Sequence, residues 1–108
     1  PDPKVADWAR RFEEKYDMAA SAQSVIGYVI ASYFAENLRQ TGPDLTVDAL
    51  VKAIEDMPAW VEPTIGGAPI DFTAQDHLGS RSTFIAQIQA GRWNNVTEIY
   101  EFDADDIE

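Results

Sequence analysis

The sequence has no cysteine, a single histidine, and eight basic residues against nineteen acidic ones. Without cysteine there are no disulfide frameworks, thiolate metal sites or cysteine nucleophiles. One histidine, His77, is too few for a structural metal site even with Asp76 beside it. The formal charge of −11 argues against nucleic acid and anionic membrane surfaces, which both require Lys and Arg. No apolar run approaches the roughly 20 residues that span a bilayer. No signal peptide is visible, but the chain begins at Pro1 rather than Met, so its native N-terminus is expected to be missing.

The 108 residues make one domain at most, with three Trp, four Tyr and five Phe for a core. Glu98, Glu101, Asp103, Asp105, Asp106 and Glu108 form an acidic end with no base among them. It reads as a solvated tail, because a calcium loop needs alternating ligands and a glycine that it lacks.

Asp2-Pro3 opens a helix expected over Pro3–Tyr16, since Asp is a good N-cap and Pro fits the first helical position. Val5, Trp8, Ala9, Phe12 and Tyr16 repeat at helical spacing, and Asp17-Met18 is a break. A longer helix is expected from about Ala20 to Gln40, with Ile26, Val29, Ile30, Tyr33, Phe34 and Leu38 as its apolar stripe. Gly42-Pro43 stops it. A third helix spans Thr46 to Met57, capped by Thr46, with Leu50, Val51 and Ile54 facing inward and Pro58 forcing the exit. After an irregular stretch, Ile70–Phe72 reads as a short strand. Thr83–Gln89 reads as a second strand, partly buried on both faces because each carries an apolar residue. Ala90-Gly91 turns it into a return strand from Arg92 to about Ile99.

Three amphipathic helices need something to cover, and one hairpin is marginal on its own. No β-branched apolar run that would make a buried parallel strand precedes Ile70. Either the helices bundle with one another, or they are outer helices of a sheet that lies elsewhere. The missing β-branched runs favour the second.

The order of these segments resembles the closing part of the type I periplasmic solute-binding proteins, the leucine/isoleucine/valine-binding-protein-like receptors of ABC importers. The resemblance runs from about Trp8 to Val96. It is carried by Trp8-Ala9-Arg10-Arg11-Phe12, Gly27-Tyr28-Val29-Ile30-Ala31 and Ala35-Glu36-Asn37-Leu38 in the first two helices. The Thr41-Gly42-Pro43-Asp44-Leu45-Thr46 link and Ala53-Ile54-Glu55 follow. Gly67-Ala68-Pro69-Ile70-Asp71-Phe72, Asp76-His77-Leu78-Gly79 and Gly91-Arg92-Trp93 complete it. Val61–Ile65 and the acidic end fit less well.

The resemblance implies an α/β fold, the C-terminal part of a two-lobed protein that closes on a solute without making or breaking bonds. Residues 1–58 would be helices of one lobe, 66–99 a hinge crossover and a hairpin of the other lobe, and 100–108 the acidic tail. The partners implied are a small-molecule solute and a membrane ABC permease, in the periplasm or, in a Gram-positive source, lipid-anchored outside the cell. No cofactor is implied. Closure that signals to a sensor partner is equally compatible. The family's ligand-side positions correspond here to Ser21, Ala22, Gln23 and Ser24 at the start of the long helix. Free N–H groups at such a helix end suit a carboxylate. The plainer reading of Ser21 is a helix cap.

Asp71, Asp76 and Glu62 show no spacing that singles out a catalytic pair, and no nucleophile elbow is present. Asp76-His77-Leu78-Gly79 reads as a turn near the hinge. Trp8, Phe12, Tyr28, Tyr33, Phe34 and Phe84 read as core, while Trp60 and Trp93 lie near loops. The competing reading is a free-standing acidic interaction module of helices and hairpin. On the fragment reading, the isolated chain exposes helix faces made for a sheet and is expected to self-associate.

Overall fold

The computed structural model describes residues 2–102. Three helices come first: α1 (Pro3–Tyr16), α2 (Ala22–Thr41) and α3 (Val47–Asp56). Four short strands follow: β1 (Ser82–Thr83), β2 (Ala86–Gln89), β3 (Arg92–Asn95) and β4 (Tyr100–Glu101). The expected sequence of three helices and a hairpin region is what forms.

The helix ends follow their local chemistry. The Asp2 side chain accepts the Lys4 N–H at 2.7 Å, and Pro3 opens α1. Asp17 closes α1 in the left-handed region at φ 53°. In α2, Ser21 and Ser24 form a reciprocal capping box, which moves the helix start to Ala22 rather than Ala20. Gly42 ends it at φ 78°. Thr46 caps α3 by accepting the Ala49 N–H at 3.1 Å. Met57 leaves α3 in an extended conformation before Pro58, as the steric demand of that proline requires.

Tertiary burial is thin. Among the described residues, Trp8 and Met57 are the buried apolar side chains, at 6% and 8% exposure. Trp8 carries α1 onto α2 through its ring contact with Tyr28, centroids 5.2 Å apart. On the other side of α2, Tyr33 meets Trp60 at 5.4 Å and Phe72 at 6.2 Å. The expected stripe of α2 divides: Val29, Tyr33 and Leu38 are half-buried, whereas Ile26, Ile30 and Phe34 lie open at 59%, 63% and 51% exposure. On α3, Leu50 and Ile54 are half-buried as expected, and Val51 is exposed.

The expected strand at Ile70–Phe72 reduces to a bridge. Ile70 and Trp60 exchange two backbone bonds of 2.8 Å, and the Asp71 N–H reaches the Gly79 carbonyl at 2.8 Å. Gly79 is required there because the Phe72 ring occupies the space a Cβ would fill. Glu62, 5% exposed, organises the preceding loop by accepting the Thr64 and Ile65 N–H groups, each at 2.6 Å.

The expected strand Thr83–Gln89 is interrupted at Phe84 and Ile85. Its first part pairs with β4 and its second with β3, both antiparallel. At the interruption the Thr97 hydroxyl accepts the Ile85 N–H at 2.9 Å, replacing a ladder bond with a side-chain one. Ala90 and Gly91, at φ 51° and 75°, make the two-residue turn. The return strand ends at Asn95 rather than Ile99. The expected burial of both strand faces does not occur: Phe84, Ile85 and Ile88 are 42%, 63% and 60% exposed. Among the described residues no second layer covers them. Of the acidic end, Glu98 precedes β4, Glu101 lies in it, and residues 103–108 lie outside the described residues.

The whole is a slab of 47 × 42 × 19 Å. Its radius of gyration is 16.5 Å, against about 13 Å for a compact chain of this length. Its accessible surface is 8246 Å², against about 6,000 Å² for a folded monomer of this mass. Stable domains stack two layers over a core, and this chain supplies little more than one.

Candidate functional site

The start of α2 is held by its own serines. The Ser24 Oγ accepts the Ser21 N–H at 2.7 Å and donates to the Ser21 carbonyl at 2.8 Å. The Ser21 Oγ accepts the Ser24 N–H at 3.3 Å. Both hydroxyls are therefore engaged in capping. Ser21, Ala22 and Gln23 are exposed, and Ser24 is half-buried. The cap leaves the first-turn N–H groups of Ala22 and Gln23 facing outward from the helix end, with the positive end of the helix dipole behind them.

Ser24 also lies at one end of a groove of about 580 Å³ between α1 and α2. Trp8, Phe12, Tyr16 and Tyr28 make its aromatic wall, and Arg11 and Lys15 stand at its rim. The rim cations are already engaged. Arg11 meets Asp7 at 3.0 Å, and Lys15 lies over the Tyr16 ring at 5.4 Å. Asp7 is also paired with Arg10 at 2.6 Å, and that hydrogen bond, foremost, holds its carboxyl below the usual range.

A second cleft, of about 340 Å³, opens between α2, α3 and the segment after Phe72. Tyr33, Val51, Ile54 and Phe72 line it, with Glu55 and His77 at the lip. His77 Nε2 lies 2.9 Å from Glu55 Oε1, tying α3 to the turn expected near the hinge. The pair joins residues 22 positions apart, so no local pattern in the sequence pointed to it. Burial raises the Tyr33 hydroxyl above its ordinary pKa, with Asp71 adding to the rise and Asn37 opposing it.

A third hollow, of about 530 Å³, is lined by residues between Ala59 and Phe102, among them Asp71, Asp76 and Arg81. Its ion pair is Asp76 with Arg81. The Asp76 carboxylate also accepts the Leu78 N–H at 2.8 Å, and its backbone exchanges bonds with Thr73 at 2.9 and 3.1 Å. Asp76 thus works as a turn residue. Asp71 and Asp76 both line this hollow, whereas Glu62 accepts the N–H groups of its own loop. Among the described residues no group of three metal-ligating side chains comes together, and no helix is long and apolar enough to cross a membrane.

The arrangement offers a donor-bearing helix end, grooves and an uncovered face, all features of a surface that captures or docks. Residues 1–92 match the family model described as periplasmic binding protein. The chain belongs to the periplasmic binding protein family. The match covers all three helices, the Trp60–Ile70 bridge and the hairpin as far as Arg92. No curated protein and no solved structure matches the chain. Family membership accounts for the thin core. The three helices and the hairpin are an α/β fragment of a periplasmic binding protein, whose role is solute binding outside the cytoplasm.

Proposed function

We propose that the protein is the solute-capturing component of an ABC importer of the leucine/isoleucine/valine-binding-protein-like kind. Its cargo would be an amino acid or a related small carboxylate or amide, held without chemistry and handed to a membrane permease. The observation that carries this reading is the family match over residues 1–92. Residues 1–58 would belong to one lobe, and residues 66–99 would pass the hinge and supply the hairpin of the other.

In this reading Ala22 and Gln23 offer backbone N–H groups to the carboxylate or amide oxygen of the solute. Ser21 and Ser24 hold those groups in place through the capping box. The free-standing interaction module is the weaker reading, because a self-sufficient module would bury more of its apolar side chains than this chain does.

Calorimetry on the complete two-lobed protein with leucine, isoleucine, valine, polar amino acids, short amides and aromatic carboxylates tests the proposal. It is paired with amide chemical shifts of Ala22 and Gln23. A saturable heat from one class, with shifts concentrated at those two amides, is expected. Binding that leaves both amides unmoved removes them from the site, and silence across the panel refutes the cargo class.

A further inference from the structure

The sequence holds three asparagines, Asn37, Asn94 and Asn95, and the fold treats each differently. Asn37 is 3% exposed on α2. Asn94 spends its side-chain amide on the hairpin turn, donating to the Arg92 carbonyl at 3.0 Å and to the Gln89 carbonyl at 3.4 Å. Asn95, the last residue of β3, is exposed and makes no side-chain hydrogen bond among the described residues. Its amide is accessible from solvent.

Asn95 also opens the run Asn95-Val96-Thr97. Asn, any residue but Pro, then Ser or Thr is the acceptor pattern for N-linked glycosyl transfer in exported proteins. The spacing has a physical basis. In extended chain, residues two apart point to the same side, so one transferase site can hold the Thr hydroxyl together with the Asn amide. Neither Asn37-Leu38-Arg39 nor Asn94-Asn95-Val96 has that hydroxyl. Val96 is 48% exposed, and Thr97 is exposed as well. The Thr97 hydroxyl accepts the Ile85 N–H at 2.9 Å and keeps its own hydrogen to donate. The family's location outside the cytoplasm supplies the compartment.

The hairpin register determines what a sugar at this position meets. Asn95 pairs with Ala86, and Trp93 pairs with Ile88, so these four residues share one face. Ile88 and Trp93 are 60% and 72% exposed. Asn95 stands two residues from Trp93 on the same strand, about 7 Å away. A bulky, solubilising group on Asn95 overhangs that apolar pair.

We propose that Asn95 is a site of N-linked glycosylation, and that its glycan covers the Ile88–Trp93 face of the hairpin. The donor class is a glycosyl group activated as a lipid-linked pyrophosphate. A bond forms between the Asn95 Nδ2 and the anomeric carbon. The bond from that carbon to the pyrophosphate oxygen breaks, its electron pair leaving on oxygen, and Nδ2 gives up one proton to the transferase. Nothing is oxidised or reduced. The proposal rests on the location outside the cytoplasm and is independent of the solute and of the helix end at Ala22 and Gln23.

Trypsin cuts after Arg92, and no Lys or Arg follows it in the sequence, so Asn95 falls in a peptide that starts at Trp93. The test is mass spectrometry of that peptide from the complete protein, isolated from the extracytoplasmic fraction of the cells that make it. The expected result is a mass raised by a whole number of sugar residues, with fragmentation placing them on Asn95. Asn95→Gln and Thr97→Ala should leave the peptide unmodified. Thr97→Ser, which keeps the hydroxyl, and Asn94→Gln should retain the addition. In sedimentation velocity, Asn95→Gln should self-associate about tenfold more tightly than the modified parent. A peptide found only at its unmodified mass overturns the proposal and needs no variant to fold. A sugar that persists in Thr97→Ala overturns the acceptor pattern, and unchanged association in Asn95→Gln overturns the covering of the face.

Discussion

The helical half and the strand half of this chain are both under-buried, but for different reasons. From Pro3 to Asp56 every helix is terminated by chemistry within a few residues of its end: Asp2, Ser21 and Thr46 at the starts, Asp17, Gly42 and Met57 at the ends. From Ser82 to Glu101 the strands are two or four residues long, and one ladder bond is replaced by the Thr97 hydroxyl. A helix satisfies its own backbone, so it keeps its shape when its covering layer is absent. A strand depends on neighbours and shortens when they are missing. The helices therefore display the faces that were meant to be covered, while the hairpin displays how little of a sheet it is alone.

The sharpest way to break this contrast is to remove the side chain that gives the helical half its tertiary identity. Trp8 is 6% exposed and bridges α1 to Tyr28. Trp8→Ala should cost about 3–5 kcal/mol, the range for large aromatic deletions from cores. In a chain this thinly packed, that should release α1 from α2. Urea denaturation followed by circular dichroism measures it. A loss under about 1 kcal/mol would mean that α1 is not docked through Trp8, and that the helical half is as loosely held as the hairpin.

The second test asks which uncovered face is the more adhesive. The chain exposes 8246 Å² against about 6,000 Å² for a compact monomer, an excess larger than the roughly 800 Å² each partner gives to a standard protein interface. Self-association of the isolated chain is the expected consequence. Ile26, Ile30 and Phe34 form one stripe on α2, and Ile88 and Trp93 lie opposite each other across the hairpin. Ile30→Lys should weaken self-association by about tenfold in sedimentation velocity, and Trp93→Lys by less, because a preformed helical ridge packs without further ordering. If Trp93→Lys is the stronger dissociator, association runs through strand pairing. A chain that sediments as a monomer at high concentration removes the premise of both.

The helix boundaries were legible because caps act over three or four residues. Pro3–Tyr16 was readable to the residue, and α3 came within one residue at each end. Local spacing could not tell which apolar side chains are covered. Ile26 and Ile30 share their periodicity with Tyr33, yet they are exposed while Tyr33 is half-buried against Trp60 and Phe72, which lie far along the chain. The same limit explains the strand errors. Alternation in Thr83–Gln89 reports a preference for burial on both faces, but what would bury them is not in this segment. At the α2 start, the serines were readable as a cap. The cleft with Glu55 and His77 was not, since its residues come from three separate segments.

The smallest expected effect concerns the charge that the helical half carries within a single turn. Glu36 accepts from Arg39 at 2.6 and 2.9 Å and from Gln40 at 2.7 Å. The Arg39 hydrogen bond, first, then that of Gln40 bring its carboxyl from 4.5 down to about 2. A carboxyl whose folded pKa lies below its unfolded value adds stability that is fully present above the unfolded pKa. That stability is lost as pH falls through the folded one. Glu36→Gln should therefore melt slightly below the parent near pH 6, and the gap should close as the pH approaches 2. Arg39 is 70% exposed, so solvent screening keeps the effect small. Thermal melts of parent and variant at stepped pH and low salt read the difference directly. A gap that stays constant from pH 6 to pH 2 would show that Glu36 acts through packing near Asn37 rather than through its charge. The helical half would then depend, like the hairpin, on contacts the sequence does not display locally.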